Sequence, residues 1–218
     1  MLNIGAIKRV LVVCPLSIMQ SAWQADLFTF AVHRTVDVAY GDRKKRKAII
    51  NGPAEFIIIN FDGIATVEEE IKNGGFDLIV VDEANAYKNP QTTRWKILRD
   101  VAAKAKGLWM LTGTPAAQSP LDAYGLAKLI NPDNTPRYYG QFRDQVMLQL
   151  TQYKWIPRPG SQDIVHRVLQ PAIRFERDQC LDLPDVTYSE REAPLTPQLR
   201  RNPQPHPYDS RRSLPPDL

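Results

Sequence analysis

The chain has 218 residues, 43% of them hydrophobic and 24% charged, with a net charge of +4. Those values suit one substantial core plus an appendage and permit nucleic-acid binding without requiring it. They exclude a helical membrane span, since no run approaches the ~18–20 apolar residues one needs. Two cysteines, Cys14 and Cys180, exclude a disulfide framework and fit a reducing cytoplasm, and His33, His166 and His206 show no metal spacing.

Strands are predicted at Val10–Cys14, Thr35–Tyr40, Phe56–Asn60, Leu78–Asp82 and Gly107–Thr112. Helices are predicted at Met19–Phe30, Asp42–Ile50, Val67–Asn73, Thr92–Ala105 and Leu121–Ile130, the last with Ser119-Pro120 as cap and first-turn proline. Strand–helix alternation predicts an α/β fold, a mostly parallel sheet covered by helices. Lys8-Arg9 before Val10–Cys14 superficially suggests an export signal. The apolar run is short, however, and Pro15 and Gln20-Ser21 stand where small residues would mark a cleavage site, so it reads as a buried strand. From Tyr138 to Ile173 the pattern reads as helical or irregular, broken by Ile156-Pro157-Arg158-Pro159-Gly160. After Gln198 it becomes Pro- and Arg-rich with no apolar periodicity, which predicts a disordered tail over 199–218.

The chemistry concentrates at two strand ends. Leu78-Ile79-Val80-Val81 runs into Asp82-Glu83-Ala84-Asn85, and Leu108-Trp109-Met110-Leu111 runs into Thr112-Gly113-Thr114-Pro115. Open α/β sheets bind ligands at such carboxyl ends. Adjacent carboxylates suit a magnesium–nucleotide complex, one holding the metal and the other orienting the attacking water. The bland alternatives are a solvated acidic strand end and an ordinary turn. Trp23 falls at helical spacing from Leu27 and Phe30 and reads as core, and Ser17 reads equally as an N-cap. Arg43-Lys44-Lys45-Arg46-Lys47 reads as a solvated helix face, with non-specific phosphate contact as the alternative.

In order and spacing, these elements resemble the first motor lobe of a Swi/Snf-type helicase, within helicase superfamily two. Asp82-Glu83-Ala84-Asn85 is similar to that family's Asp-Glu-Ala-His box, with Asn85 in place of His, and Tyr87-Lys88-Asn89-Pro90 to the basic element after it. Leu111 to Pro115 resembles the Leu-Thr-Gly-Thr-Pro motif. Pro15, Leu16, Ser17 and Trp23 resemble motif Ia, and Ile57 to Asp62 resembles motif Ib. The likeness covers roughly Arg9 to Pro132 and, more weakly through Gln170–Phe175 and Leu183-Pro184-Asp185, reaches about Pro197. It implies a RecA-like lobe over 1–135, a helical or irregular extension over 136–198 leading towards a second lobe, and the tail. It implies ATP and Mg²⁺, with Asp82 as metal ligand and Glu83 as the catalytic, water-activating carboxylate. Thr112, Gly113 and Thr114 would sense the nucleotide, and Pro15, Leu16, Ser17, Phe61 and Asp62 would touch the DNA backbone. The latter two read equally as a turn.

The family's phosphate-binding loop should precede motif Ia, yet no Gly-x-x-x-x-Gly-Lys-Ser/Thr occurs anywhere, and Gly74-Gly75 leads into a strand as a turn would. The sheet is therefore expected to be incomplete at its N-terminal strand, leaving Gly107–Thr112 at an edge, with Asp82 and Thr112 at the same end. The lobe-two motifs are also missing. These gaps and the abrupt change after Gln198 suggest a frameshift or early gene end, hence a fragment inactive alone unless another polypeptide supplies the phosphate loop and second lobe. A non-catalytic nucleic-acid-binding module and an inert gene remnant are the rival readings.

Overall fold

Five short apolar runs set the architecture. The computed structural model describes residues 7–116 and 118–175. Strands β1 (Val10–Cys14), β2 (Val36–Val38), β3 (Phe56–Asn60), β4 (Leu78–Val81) and β5 (Gly107–Met110) form one sheet in the order β2-β3-β1-β4-β5, every pairing parallel. Strands covered on both faces need apolar residues at consecutive positions. All five residues of β1 and all four of β4 are buried. The sheet is thus the five-stranded parallel one expected from the sequence, with β5 at its edge.

Helices α1 (Ala25–Phe30), α2 (Arg43–Ile50), α3 (Phe61–Thr66), α4 (Glu68–Asn73), α5 (Thr93–Ala102) and α6 (Ala123–Ile130) accompany the strands. Side-chain alternation sorts the core into two layers. Leu11, Val13, Ile57, Ile59, Ile79 and Val81 pack against residues of the later helices. Val12, Cys14, Ile58 and Val80 pack on the other face against Met19, with Trp23 and Leu27 partly buried beside them. Each such aliphatic side chain contributes roughly 1.5–3 kcal/mol through burial.

Among the departures from the sequence reading are a helix and a hairpin. Helix α3 follows β3 directly where a turn or contact segment was expected. Gly63 weakens its propensity, but a Cβ there would lie 2.9 Å from Ile59 and 2.7 Å from the Asn60 carboxamide oxygen, so close packing selects glycine. After α7 (Tyr139–Val146), strands β6 (Met147–Thr151) and β7 (Lys154–Pro157) form an antiparallel hairpin before α8 (Ser161–Val168), correcting the purely helical or irregular reading of that stretch. Met147-Leu148-Gln149-Leu150 does not alternate cleanly, and Gln152-Tyr153 carries none of the usual turn residues, so neither hairpin signal was present. The expected tail over 199–218, together with Cys180 and Leu183–Asp185, lies outside the described residues. Among those described, no helix is long and apolar enough to cross a membrane.

The amino end of the sheet is tied shut. The Arg9 guanidinium donates to the carbonyls of Ile50 (2.7 Å), Gly52 (2.8 Å), Ala54 (3.1 Å) and Gly74, and lies over the Phe76 ring. Asp77 accepts from the Lys8 and Arg9 amides and pairs with Lys106 at 2.7 Å, and the Lys106 hydrogen bond is the first cause holding its carboxyl below the usual range.

Near the opposite end, α6 packs on the turn after β4. The Trp95 indole donates to the Gly125 carbonyl at 2.8 Å. A Cβ on Gly125 would fall onto the Lys88 carbonyl and within 2.7 Å of the Tyr87 carbonyl oxygen. Because these neighbours are backbone atoms, Gly125→Ala is expected to cost about 3 kcal/mol or more. Urea denaturation measures it, and a loss below about 1 kcal/mol would show that α6 can shift away.

Candidate functional site

Parallel pairing sends β1, β4 and β5 out of the sheet at the same end. The Asp82 amide donates to the Val13 carbonyl at 2.8 Å, and the Leu111 amide to the Val81 carbonyl at 2.8 Å, so the alignment persists beyond the strands. Asp82 leaves β4 on the face that carries Val80 and, on the neighbouring strand, Cys14. Its Oδ2 accepts a 2.8 Å hydrogen bond from the Trp23 Nε1–H, and its Oδ1 accepts from the Glu83 amide at 2.9 Å. The carboxylate is therefore oriented at both oxygens.

Glu83 adopts φ 49° and ψ 52°, the left-handed region, at a cost of about 1–2 kcal/mol for a side chain with a Cβ. That turn brings the Ala84 amide to the Leu111 carbonyl at 2.9 Å and starts a 3₁₀ turn over Ala84–Tyr87, leaving the Glu83 side chain exposed. From that turn the Asn85 Nδ2–H donates to the Thr114 carbonyl at 2.9 Å, while the Thr112 hydroxyl accepts from the Thr114 amide at 3.3 Å. Asp82 and Glu83 are thus joined through Ala84 and Asn85 to the loop that carries Thr112, Gly113 and Thr114. Gly113 is exposed, and a Cβ there would meet open space.

Cys14 lies beneath Asp82. Burial first, and the Asp82 charge second, push its thiol up to about 12. It stays a neutral, inert thiol and offers no ligand to a hard cation.

The family model for the SNF2-related domain matches residues 2–176. The chain belongs to the SNF2-related family. It is similar to the SWI/SNF-related matrix-associated actin-dependent regulator of chromatin subfamily A-like protein 1 of Xenopus laevis, at 32% identity over 82 residues, 38% of this chain and 8% of that protein. It is similar to the chromodomain-helicase-DNA-binding protein 1-like of Mus musculus, at 28% identity over 189 residues, 81% of this chain and 20% of that one. Among solved structures, the Sulfolobus solfataricus SWI2/SNF2 ATPase core in complex with dsDNA matches at 28% identity with a TM-score of 0.55, covering 65% of this chain and 29% of that one. The chain spans less than a third of the length of each of these proteins. The RecA-like character expected of the sheet agrees with that structural match.

With the SNF2-related family in place, the donor set can be tested against Mg²⁺. Among the described residues no cluster of three His, Cys, Asp or Glu side chains exists. Mg²⁺ in nucleotide sites is held by one or two carboxylates, its remaining positions filled by water and phosphate. The adjacent Asp82 and Glu83 fit a nucleotide-borne Mg²⁺ and do not form an all-protein cage.

The segments resembling SNF2 motifs Ia and Ib follow neighbouring strands, β1 and β3, whose last residues Cys14 and Asn60 pair. Leu16–Ile18 is a 3₁₀ turn with Leu16 and Ser17 exposed. Ser17 makes no capping bond, which corrects its N-cap reading, and its carbonyl accepts from the Ser21 hydroxyl at 2.9 Å. Leu16, Ser17, Gln20 and Ser21 line an open groove of about 320 Å³ with Val38 and Tyr40. Phe61 and Asp62 form the first turn of α3. The Phe61 ring meets Tyr87 edge-on, Arg94 lies 5.2 Å over it, and Asp62 pairs with Arg94 at 2.6 Å. An anionic Asp62 already bonded to Arg94 is poorly placed to meet phosphate.

Sequence reasoning placed Trp23 in the core and in the segment resembling motif Ia, and gave Lys88 and Asn89 no role. Trp23 is only half core, its indole turned to Asp82, and residue spacing carries no sign of that bond. Lys88 pairs with Asp122 at 3.2 Å, linking the turn after β4 to the start of α6. Asn89 accepts from the Gln91 amide, and its carbonyl from the Thr92 hydroxyl, setting up the N-cap of α5. Within the basic run, Arg46 is buried and donates to the Ala39 and Gly41 carbonyls (2.7 and 2.8 Å) and to Asn60 Oδ1 (3.0 Å). Arg43 and Lys47 reach Glu70 at 3.7 and 3.1 Å. Lys44 and Lys45 are exposed.

In a Cys180→Ser background, Cys14 is expected to resist an aromatic disulfide reagent at pH 8 until the fold opens. Its raised pKa favours the folded state fully below the unfolded thiol's ~8.5, and that advantage is lost as pH rises towards about 12. Fast stoichiometric labelling of the folded chain would contradict the placement of β1.

Proposed function

We propose that this chain forms part of a DNA-translocating, ATP-hydrolysing motor of the SNF2 type: the first lobe, with Asp82 and Glu83 on the nucleotide side and the Pro15–Ser17 turn on the DNA side. The observation that carries this reading is the shared sheet end where Pro15, Asp82 and Thr112 emerge, with Trp23–Asp82 and Asn85–Thr114 hydrogen bonds joining the three segments. Bound ATP and Mg²⁺ would supply the transferable phosphoryl group and the charge that neutralises it. Within the protein, Asp82 would face the metal, Glu83 would orient the attacking water, and Asn85 would pass the state of that pocket to the Thr112–Thr114 loop. Phe61 would add an apolar contact beside the DNA, with Asp62 holding Arg94.

The sequence contains no glycine-rich phosphate cradle with its lysine. Loss of one preorganised donor commonly costs about 3–4 kcal/mol of transition-state stabilisation. The isolated chain is therefore expected to show no measurable DNA-stimulated ATPase, and the missing parts to come from a polypeptide whose strand pairs with the β5 edge. Turnover that disappears in Glu83→Gln would overturn that expectation; turnover indifferent to the substitution marks a contaminant. The same lack of a cradle favours a second reading, a nucleic-acid-binding module without turnover. Its mark is DNA binding unchanged by ATP, with Mg²⁺ present, whatever polypeptide is added.

For DNA contact, α2 is informative. Arg43, Lys44 and Lys45 crowd its first turn, the positive end of the helix dipole; Glu70 offsets Arg43 at 3.7 Å, which leaves the Asp42 cap to offset Lys44 and Lys45. A polyanion would relieve that repulsion. Lys44→Gln/Lys45→Gln is expected to flatten the salt dependence of DNA binding by up to about two units, and Lys47→Gln to leave it unchanged because Glu70 already pairs with it. Equal slopes in parent and double variant would remove α2 from the DNA surface.

A further inference from the structure

The stretch that carries Trp23 is not a regular helix. Met19–Gln24 forms a π-helical turn in which the Ala25 amide reaches back five residues to the Gln20 carbonyl. Such turns hold one residue more than an α-turn and often mark functional positions. Here the widening directs the Trp23 indole at the sheet end. The ring keeps apolar contact with the layer formed by Val12, Cys14 and Val80, and its Nε1–H reaches Asp82 Oδ2 at 2.8 Å. The turn begins one residue after Leu16–Ile18, the exposed segment with the groove on its flank. One side chain therefore spans from that segment to the carboxylate.

We propose that Trp23 is a positioning residue: its indole N–H fixes the rotation of the Asp82 carboxylate for a divalent cation and transmits displacements of the Pro15–Gln24 segment to it. This rests on the nucleotide–metal reading of Asp82. The Glu83 amide bonded to Oδ1 belongs to the rigid left-handed turn, whereas the bond to Oδ2 comes from a different element. Movement of the π-turn changes the second bond and leaves the first. A nucleic acid seated against Leu16 and Ser17 would act on Asp82 by that route, without passing through the Thr112–Thr114 loop.

The test uses the full chain, labelled with ¹⁵N, and the Mn²⁺ complex of ADP as the probe. Indole N–H signals report each tryptophan separately. Trp95 is the internal control, because its Nε1–H bonds the Gly125 carbonyl at 2.8 Å inside the core. Mn²⁺ is expected to broaden the Trp23 signal first. Trp23→Phe, which keeps a ring in the apolar layer, is expected to weaken binding of the complex by about 10- to 100-fold, as loss of a bond orienting a metal ligand does. In the unsubstituted chain, a short duplex added with Mg²⁺ is expected to shift the Trp23 signal and leave Trp95 in place.

Parent-like affinity for the complex in a folded Trp23→Phe would overturn the positioning role alone. An unmoved Trp23 signal on binding of duplex would overturn the transmission, and that measurement needs no variant. If Asp82→Asn binds the complex as the parent does, or the parent binds none, the metal reading itself falls and this inference with it.

Discussion

Strand β1 has a parallel neighbour on each side, and that constraint decides where everything else can go. Parallel strands cannot be joined by tight turns, so each connection must cross the sheet and return. Every strand then ends at the same side, which places Pro15 after β1, Asp82 after β4 and Leu111 after β5 at one end of the sheet. The two ends are built differently. At the amino end Arg9 and Asp77 gather the loops through charge-assisted bonds. At the carboxyl end the side chains of Glu83, Leu16 and Ser17 reach solvent.

How much of this was legible depends on what each feature needs from the sequence. Buried parallel strands are near-continuous apolar runs, so Val10–Cys14 and Phe56–Asn60 can be read to the residue. Motif spacing likewise identified the Asp82 and Thr112 ends. Helix α3 was illegible because packing of Gly63 against Ile59 and Asn60 overrides a poor local propensity. The left-handed turn at Glu83 could not be foreseen either, since nothing in Asp-Glu-Ala-Asn favours it. Asn85 illustrates a substitution whose meaning only geometry supplies. A carboxamide N–H donates to the Thr114 carbonyl irrespective of pH, so the box remains joined to the next loop without histidine.

The five consecutive cations of α2 show how a linear charge run dissolves on folding. Arg46 serves the fold, holding two carbonyls and Asn60 where β2, β3 and α2 meet. Arg43 and Lys47 converge on Glu70, and Lys47 is the first cause lowering that carboxyl's pKa. What remains for an outside partner is a short face around Lys44 and Lys45. Charge counting in the sequence overstated the available surface because helical periodicity splits adjacent residues among different faces.

Strand β5 also has consequences for how the protein behaves in solution. Among the described residues it pairs on one side only, so alternate backbone N–H and C=O groups point away from β4 beside a half-exposed Trp109 ring. An edge of this kind is a template for self-association. Its protection is modest: four residues of length, with Lys104 and Lys106 just ahead of it. Colloidal stability of the chain made alone is thus governed less by its core than by those few residues. Such a chain would be prone to sheet-to-sheet growth when concentrated, until something occupies that edge.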